Sequence, residues 1–229
     1  MKSSKWHALG NVYLLVEQAE PLTPERAREL SRDTDGVLEV AGSQVTVWNP
    51  DGSVAEMSGN GARIAAAWLA RKTGSREVAL RVGERDLTAT VDGDNVTLHA
   101  GAVEVGEPEA VDGIDFTPVL VGNPHAVVQH DPEDIRRLGP LLESHPRFPE
   151  RTNVQLVRVD GEHDLTVAVW ERGAGETTAS GSSAIAAAAA AIQNGWCASP
   201  VTVHMPGGDL YVEIAGGRAR LTGPAVELA

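Results

Sequence analysis

Hydrophobic and polar positions alternate along this chain with two periods. Asn11 to Val16 is an apolar run of strand length, and Gln44 to Trp48 alternates with the period of a half-buried strand. Thr23 to Arg32 opens with Thr-Pro-Glu and reads as a short capped helix. Asn49-Pro-Asp-Gly-Ser53 is turn chemistry. Ser58 to Lys72 carries helical spacing, and Val78 to Val82, Leu87 to Val91 and Val96 to Ala100 read as short strands, with an Asp92-Gly93 hairpin between the last two. Val103 to Asp115, rich in Glu, Gly and Pro, reads as a linker or lobe crossing.

The same order then recurs. Val119 to Val121 and Ala126 to Gln129 flank a Gly-Asn-Pro turn, and Asp131 to Leu142 reads as a helix. Leu165 to Trp170 alternates as a strand, Glu171 to Thr178 is a loop, and Ser180 to Asn194 is an Ala-rich helix ended by Gly195. Val201 to His204, Leu210 to Ile214 and Ala219 to Leu221 are strands. Trp48 and Trp170 end matching strands at an offset of 170 − 48 = 122, and Ser58 and Ser180 keep that offset, as do Gly59 and Gly181, and Ala62 and Ala184. Asp86-Leu87 matches Asp209-Leu210 at 123, and Gly10-Asn11 matches Gly122-Asn123 at 112. One loop length, one helix start and one following hairpin repeat in register, which is the mark of a duplicated unit. The expectation is a mixed α/β (α+β) chain of two like lobes, 1–109 and 110–229, with the last strand able to return to the first lobe. A cleft between the lobes is then the natural ligand site.

Composition narrows the partners. Nineteen Lys and Arg against 32 Asp and Glu give a net charge of −13. Nucleic acid and anionic membranes need a basic footprint, so neither is expected as a partner. Cys197 is the single cysteine, which rules out an intrachain disulfide and fits a reducing compartment. The longest apolar run, Ala184 to Ile192, is far short of the roughly 20 residues of a membrane helix. The first residues, MKSSKWHALGN, hold no signal-peptide stretch. The expectation is a soluble cytoplasmic protein. His7, His99, His130, His145, His163 and His204 show no metal-ligand spacing, and no phosphate loop, dinucleotide fingerprint or pyridoxal-site pattern is visible. No cofactor is expected.

The chemistry concentrates at the two repeated helix starts, Ser58-Gly59-Asn60-Gly61 and Ser180-Gly181-Ser182-Ser183. The first N–H groups of a helix lack internal partners, and the helix dipole favours negative charge there. Glycine and serine let a ligand come close to that backbone, so two such ends converging would hold one carboxylate. The enolate-like charge that follows loss of the adjacent Cα proton would be stabilised in the same place.

At these residues the sequence resembles the diaminopimelate epimerases of the cofactor-independent amino-acid racemase group. The resemblance runs through Lys5-Trp-His-Ala-Leu-Gly-Asn11, Asn49-Pro-Asp-Gly-Ser53, Ser58-Gly-Asn-Gly-Ala-Arg63 and Gly122-Asn-Pro-His125. It continues through Leu138-Gly-Pro-Leu141, Phe148-Pro-Glu-Arg-Thr-Asn153, Glu171-Arg-Gly-Ala-Gly-Glu-Thr177, Pro206-Gly-Gly208 and Thr222-Gly-Pro-Ala225. It implies two lobes, each a curled sheet or barrel around a central helix, and often a homodimer. It implies substrate contacts at Asn11, Asn49, Gly59, Asn60, Asn123, Asn153, Glu171, Arg172, Gly181 and Ser182. The segment Asp33-Thr-Asp-Gly36 is shorter than its family counterpart.

The family's acid and base are cysteines, one before each helix-start glycine, and here both are serine: Ser58 and Ser180. A thiol titrates near 8.5 and lower at a helix N-terminus, whereas a hydroxyl needs an adjacent base. The resemblance offers His125 beside the first position and Glu171 beside the second, so Ser58–His125 and Ser180–Glu171 relays are expected. Three functional readings follow for this site, which takes a small amino acid. One is cofactor-independent epimerisation of L,L- and meso-diaminopimelate. Another is a same-scaffold enzyme needing one strong base, such as a hydroxy-amino-acid dehydratase. The third is an inactive amino-acid-binding protein. Serines introduced in place of cysteine would leave the same pattern.

Overall fold

The structure is a computed structural model that describes residues 2–18, 20–55 and 57–228. The chain divides into two compact units, Met1–His99 with Thr222–Ala229, and Ala100–Leu221. The division falls at 99/100, earlier than the 109/110 boundary expected from composition. Residues 103–115 are the reason. They form strands Glu104–Val105 and Glu109–Val111, which pair with Ile114–Leu120, and the Val103 N–H donates to Gly217 O at 3.0 Å. The polar content that reads as a linker belongs to short strands with partly exposed side chains.

In the first unit, strand Lys2–Ala8 pairs antiparallel with Asn11–Glu17, which runs parallel to Val37–Ala41. The crossover carries helix α1, Pro24–Leu30, capped by Thr23, whose side chain accepts from Arg26 N. Val37–Ala41 forms a hairpin with Gln44–Trp48, which takes Val54–Ala55 on its end and Glu77–Val82 as a parallel neighbour. Arg85–Asp92 and the strand beginning at Asn95 follow as hairpins. Helix α2, Gly59–Thr73, lies against the strands at 2–8, 11–17, 37–41, 44–48, 77–82 and 85–92, so the sheet curls around it. Its Ala62, Ile64, Ala65, Ala66 and Ala67 are buried, and alanine lets the sheet close tightly on the helix. Gly74 ends it in the left-handed region at φ 72°, donating to Ala70 O.

The second unit repeats this wiring. Strand Pro124–Gln129 runs parallel to Asn153–Gly161 through a crossover, whose 3₁₀ turn Pro132–Asp134 leads into helix α3, Ile135–Glu143. The single helix expected from Asp131 is therefore broken, because Asp131 accepts from Glu133 N at 3.0 Å and caps the turn. Asn153–Gly161 forms a hairpin with Asp164–Glu171, which takes Gly175–Thr177 and, in parallel, Val201–Met205. Helix α4, Gly181–Gln193, lies against the surrounding strands with Ala184 to Ala191 buried. The duplication holds at the level of single pairs. Trp48 faces Val54 and Trp170 faces Glu176, while Val47 faces Ala55 and Val169 faces Thr177.

Among the described residues no helix is long and apolar enough to cross a membrane.

Candidate active site

The helix start of the first unit is built around Ser58. It takes extended dihedrals, φ −140° and ψ 117°, so its side chain can turn back on the first turn of α2. Its Oγ accepts from Gly61 N at 3.0 Å and lies 3.2 Å from the Tyr13 hydroxyl. Gly61 leaves room there, since a Cβ would meet Leu38 Cδ2 at 2.8 Å and Ser58 Oγ at 3.2 Å. Asn60 is buried, and its Nδ2 donates to Asn11 Oδ1 at 2.6 Å, while Arg63 Nη2 donates to Asn60 Oδ1 at 2.5 Å. Gly10, at φ 81°, supplies the left-handed turn that starts the strand at Asn11, and its N–H donates to His7 Nε2 at 3.1 Å.

The helix start of the second unit has the same backbone, with Ser180 at φ −144° and ψ 124°. Its side chain does not cap α4. The Ser180 hydroxyl is instead hydrogen-bonded to the Glu171 carboxyl. Burial pushes the Glu171 carboxyl above the usual carboxylate range, against the opposing effect of that hydrogen bond. A carboxylate beside a hydroxyl is the arrangement that general-base activation of the hydroxyl requires. Gly181 is buried and Ser182 half-buried in the first turn.

His125 is fully buried, and burial pushes its pKa down to about 3, with a smaller contribution from the Arg172 charge. It is neutral at physiological pH. Its Nε2 lies 3.0 Å from Asn123 Oδ1 and its Nδ1 lies 3.0 Å from Gln155 Nε2, which also donates to Ser183 Oγ at 3.0 Å. Both ring nitrogens thus have partners inside the second unit, as the Ser58 hydroxyl has partners inside the first. Asn123 follows Gly122 at φ 73°, the counterpart of Gly10 before Asn11.

The other expected residues divide by their partners. Asn153 is buried, its Nδ2 donating to Pro124 O at 2.9 Å and its Oδ1 accepting from Arg172 N at 3.0 Å, so it ties the 122–125 turn to the 171–175 loop. The Arg172 guanidinium reaches Glu150 O at 3.3 Å. Asn49 Nδ2 donates to Ser53 Oγ at 2.9 Å within its turn. Three further residues bond to these groups and carry no motif role in the sequence: Tyr13, Gln155 and Glu143. Glu143 accepts from Trp170 Nε1 and from Gly173 N, each at 2.7 Å, and so fixes the loop that bears Glu171 and Arg172. Among the described residues no His, Cys, Asp and Glu group has the arrangement of a metal site. The Cys197 thiol is half-buried and burial pushes its pKa up to about 11, which makes it a poor nucleophile.

With this geometry in place, comparison with known proteins is decisive. The diaminopimelate epimerase family model matches residues 3–108 and 117–227. The chain belongs to the diaminopimelate epimerase family. A diaminopimelate epimerase of Desulfitobacterium hafniense is 36% identical over 98% of this chain and 95% of its own. Diaminopimelate epimerase 2 of a Nostoc species is 36% identical over 93% of this chain and 88% of its own. Among solved structures, a "Predicted Epimerase" from Pseudomonas aeruginosa superposes with a TM-score of 0.77 at 18% identity, covering 99% of this chain and 96% of that one. A hydroxyproline epimerase from Agrobacterium vitis superposes with a TM-score of 0.66 at 16% identity over 99% and 90% of the two chains. At these identities the structural matches establish the fold.

Proposed function

We propose that this protein binds diaminopimelate and interconverts its L,L and meso forms by transferring the α-proton, without a cofactor. The carrying observation is the pair of helix starts with the same backbone, each bearing a serine hydroxyl directly before its first glycine. Backbone N–H groups there hold the α-carboxylate, and Arg172, Glu171 and the asparagines serve the substrate's charged groups. Ser180 works with Glu171 as its base. Ser58, held by Gly61 N and Tyr13, is the hydroxyl for the opposite proton transfer. Hydroxyls are weaker acids than thiols, so turnover is slow while binding is retained. The protein works in the cytoplasm on the free amino acid, as a homodimer, with no nucleic-acid or membrane partner.

One difference between the serines favours a second reading. Ser180 has a carboxylate beside it, whereas among the described residues Ser58 bonds Tyr13 and Gly61, so proton removal on one face alone would suit a dehydratase. The two readings separate in D2O. With L,L-diaminopimelate, slow loss of the α-proton signal with appearance of the meso isomer is expected. Exchange that yields no meso isomer would replace epimerisation by one-base chemistry.

A further inference from the structure

Arg63 is wholly buried, in the first turns of α2. Its Nη2 donates to Asn60 Oδ1 at 2.5 Å, its Nε points to Pro224 O at a long 3.4 Å, and its Nη1 has no partner. Burial alone lowers its pKa to about 10, so it is a cation throughout the physiological range. A guanidinium has five N–H donors and no acceptor. That one-way chemistry propagates. Asn60 must turn its oxygen to Arg63, which leaves its NH2 group to donate to Asn11 Oδ1 at 2.6 Å. Asn11 must then accept through its oxygen, and its own NH2 group is left to donate elsewhere.

We propose that Arg63 is a positioning residue that fixes the amide polarity of Asn60 and, through it, of Asn11, so that Asn11 offers an N–H donor to a carboxylate oxygen of the substrate. The proposal rests on the reading above that this site takes an amino acid. It gives the free NH2 group of Asn11 an acceptor on the substrate, while the Asn11 oxygen already accepts from Asn60.

The second unit lacks such an anchor. Ile185 stands at the repeat-equivalent position of Arg63, 185 − 122 = 63. The matching asparagine, Asn123, is bonded to His125 and then Gln155, whose Oε1 has no partner. Every member of that chain can reverse donor and acceptor roles. Only the first unit carries a member that cannot.

The full-length protein decides this in two steps. A long-range HNCO spectrum reads the polarity without ligand: coupling from Asn60 Nδ2 to Asn11 Cγ is expected, and coupling from Asn11 Nδ2 to Asn60 Cγ overturns the proposal. Calorimetry with meso-diaminopimelate then compares wild type, Arg63→Lys and Arg63→Met. A charge-assisted hydrogen bond is at stake, so Kd should rise roughly ten- to a hundredfold in Arg63→Met and be largely restored in Arg63→Lys. Folded Arg63→Met with wild-type affinity overturns the proposal. If Arg63→Met does not fold, Asn60→Asp takes its place, since it pairs Arg63 but turns the Asn11 oxygen outward. It should hold the thermal midpoint while Kd rises, and unchanged Kd overturns the proposal. If wild type fails to bind diaminopimelate, the functional reading falls and the coupling alone decides the polarity.

Discussion

Ser58 and Ser180 share a sequence setting and a backbone conformation, yet their hydroxyls do different things. One accepts from its own helix and the other lies by a half-buried carboxyl. The sequence places both at helix starts and pairs Ser58 with His125, whereas the Ser58 hydroxyl meets Tyr13 from another strand and His125 bonds Asn123 and Gln155. His125 shows the same limit. Its motif suggests a base, whereas its burial makes it a neutral link between Asn123 and Gln155. That has a consequence for stability. The folded pKa of about 3 lies below the ordinary 6.5, so the unfolded chain binds the proton more readily between those values. His125 should therefore make stability fall as pH drops from 6.5 towards 3, and contribute no pH dependence above 6.5. Denaturant titrations of wild type and His125→Gln at pH 7 and pH 5 check this: the variant should lose less stability than wild type on acidification. An equal loss in both would remove His125 as a source.

At the scale of elements, strands with one wet face were legible and those buried on both faces were not. Gln44–Trp48 shows clear alternation and forms as expected. Val37–Ala41 and Asn153–Gly161 are parallel partners whose first residues are buried in succession, so they show no period of two. Lys2–Ala8 was hidden by its polar, exposed first half. Both central helices were legible from Ser-Gly starts and alanine content, although only Ser58 caps its helix with its side chain. The contact between α3 and the active-site loop was not, because it depends on one missing side chain. A Cβ on Gly139 would lie 2.6 Å from Trp170 Cγ. Gly139→Ala should displace Trp170, whose indole shares Glu143 with the 171–175 loop, and destabilise the protein by about 1–3 kcal/mol. Chemical denaturation would show it, and a variant within about 0.5 kcal/mol of wild type would contradict the packing account.

For the whole molecule, the duplication was readable from constant offsets, since a repeated fold keeps its loop lengths and helix starts. The shift from 122 to 123 between the helix start and the final hairpin reappears in the parallel pairs, Gln44 with Arg81 and Thr166 with His204. Family membership follows from motifs spread along the full chain. What the motifs leave open is the reaction rate, because the proposed chemistry runs through a serine at each helix start. The most direct test restores both thiols. Ser58→Cys/Ser180→Cys should bind meso-diaminopimelate as wild type does and epimerise it faster by on the order of a hundredfold or more, within the range that acid–base groups supply. A folded double variant that neither binds diaminopimelate nor exchanges its α-proton in D2O would contradict the assignment.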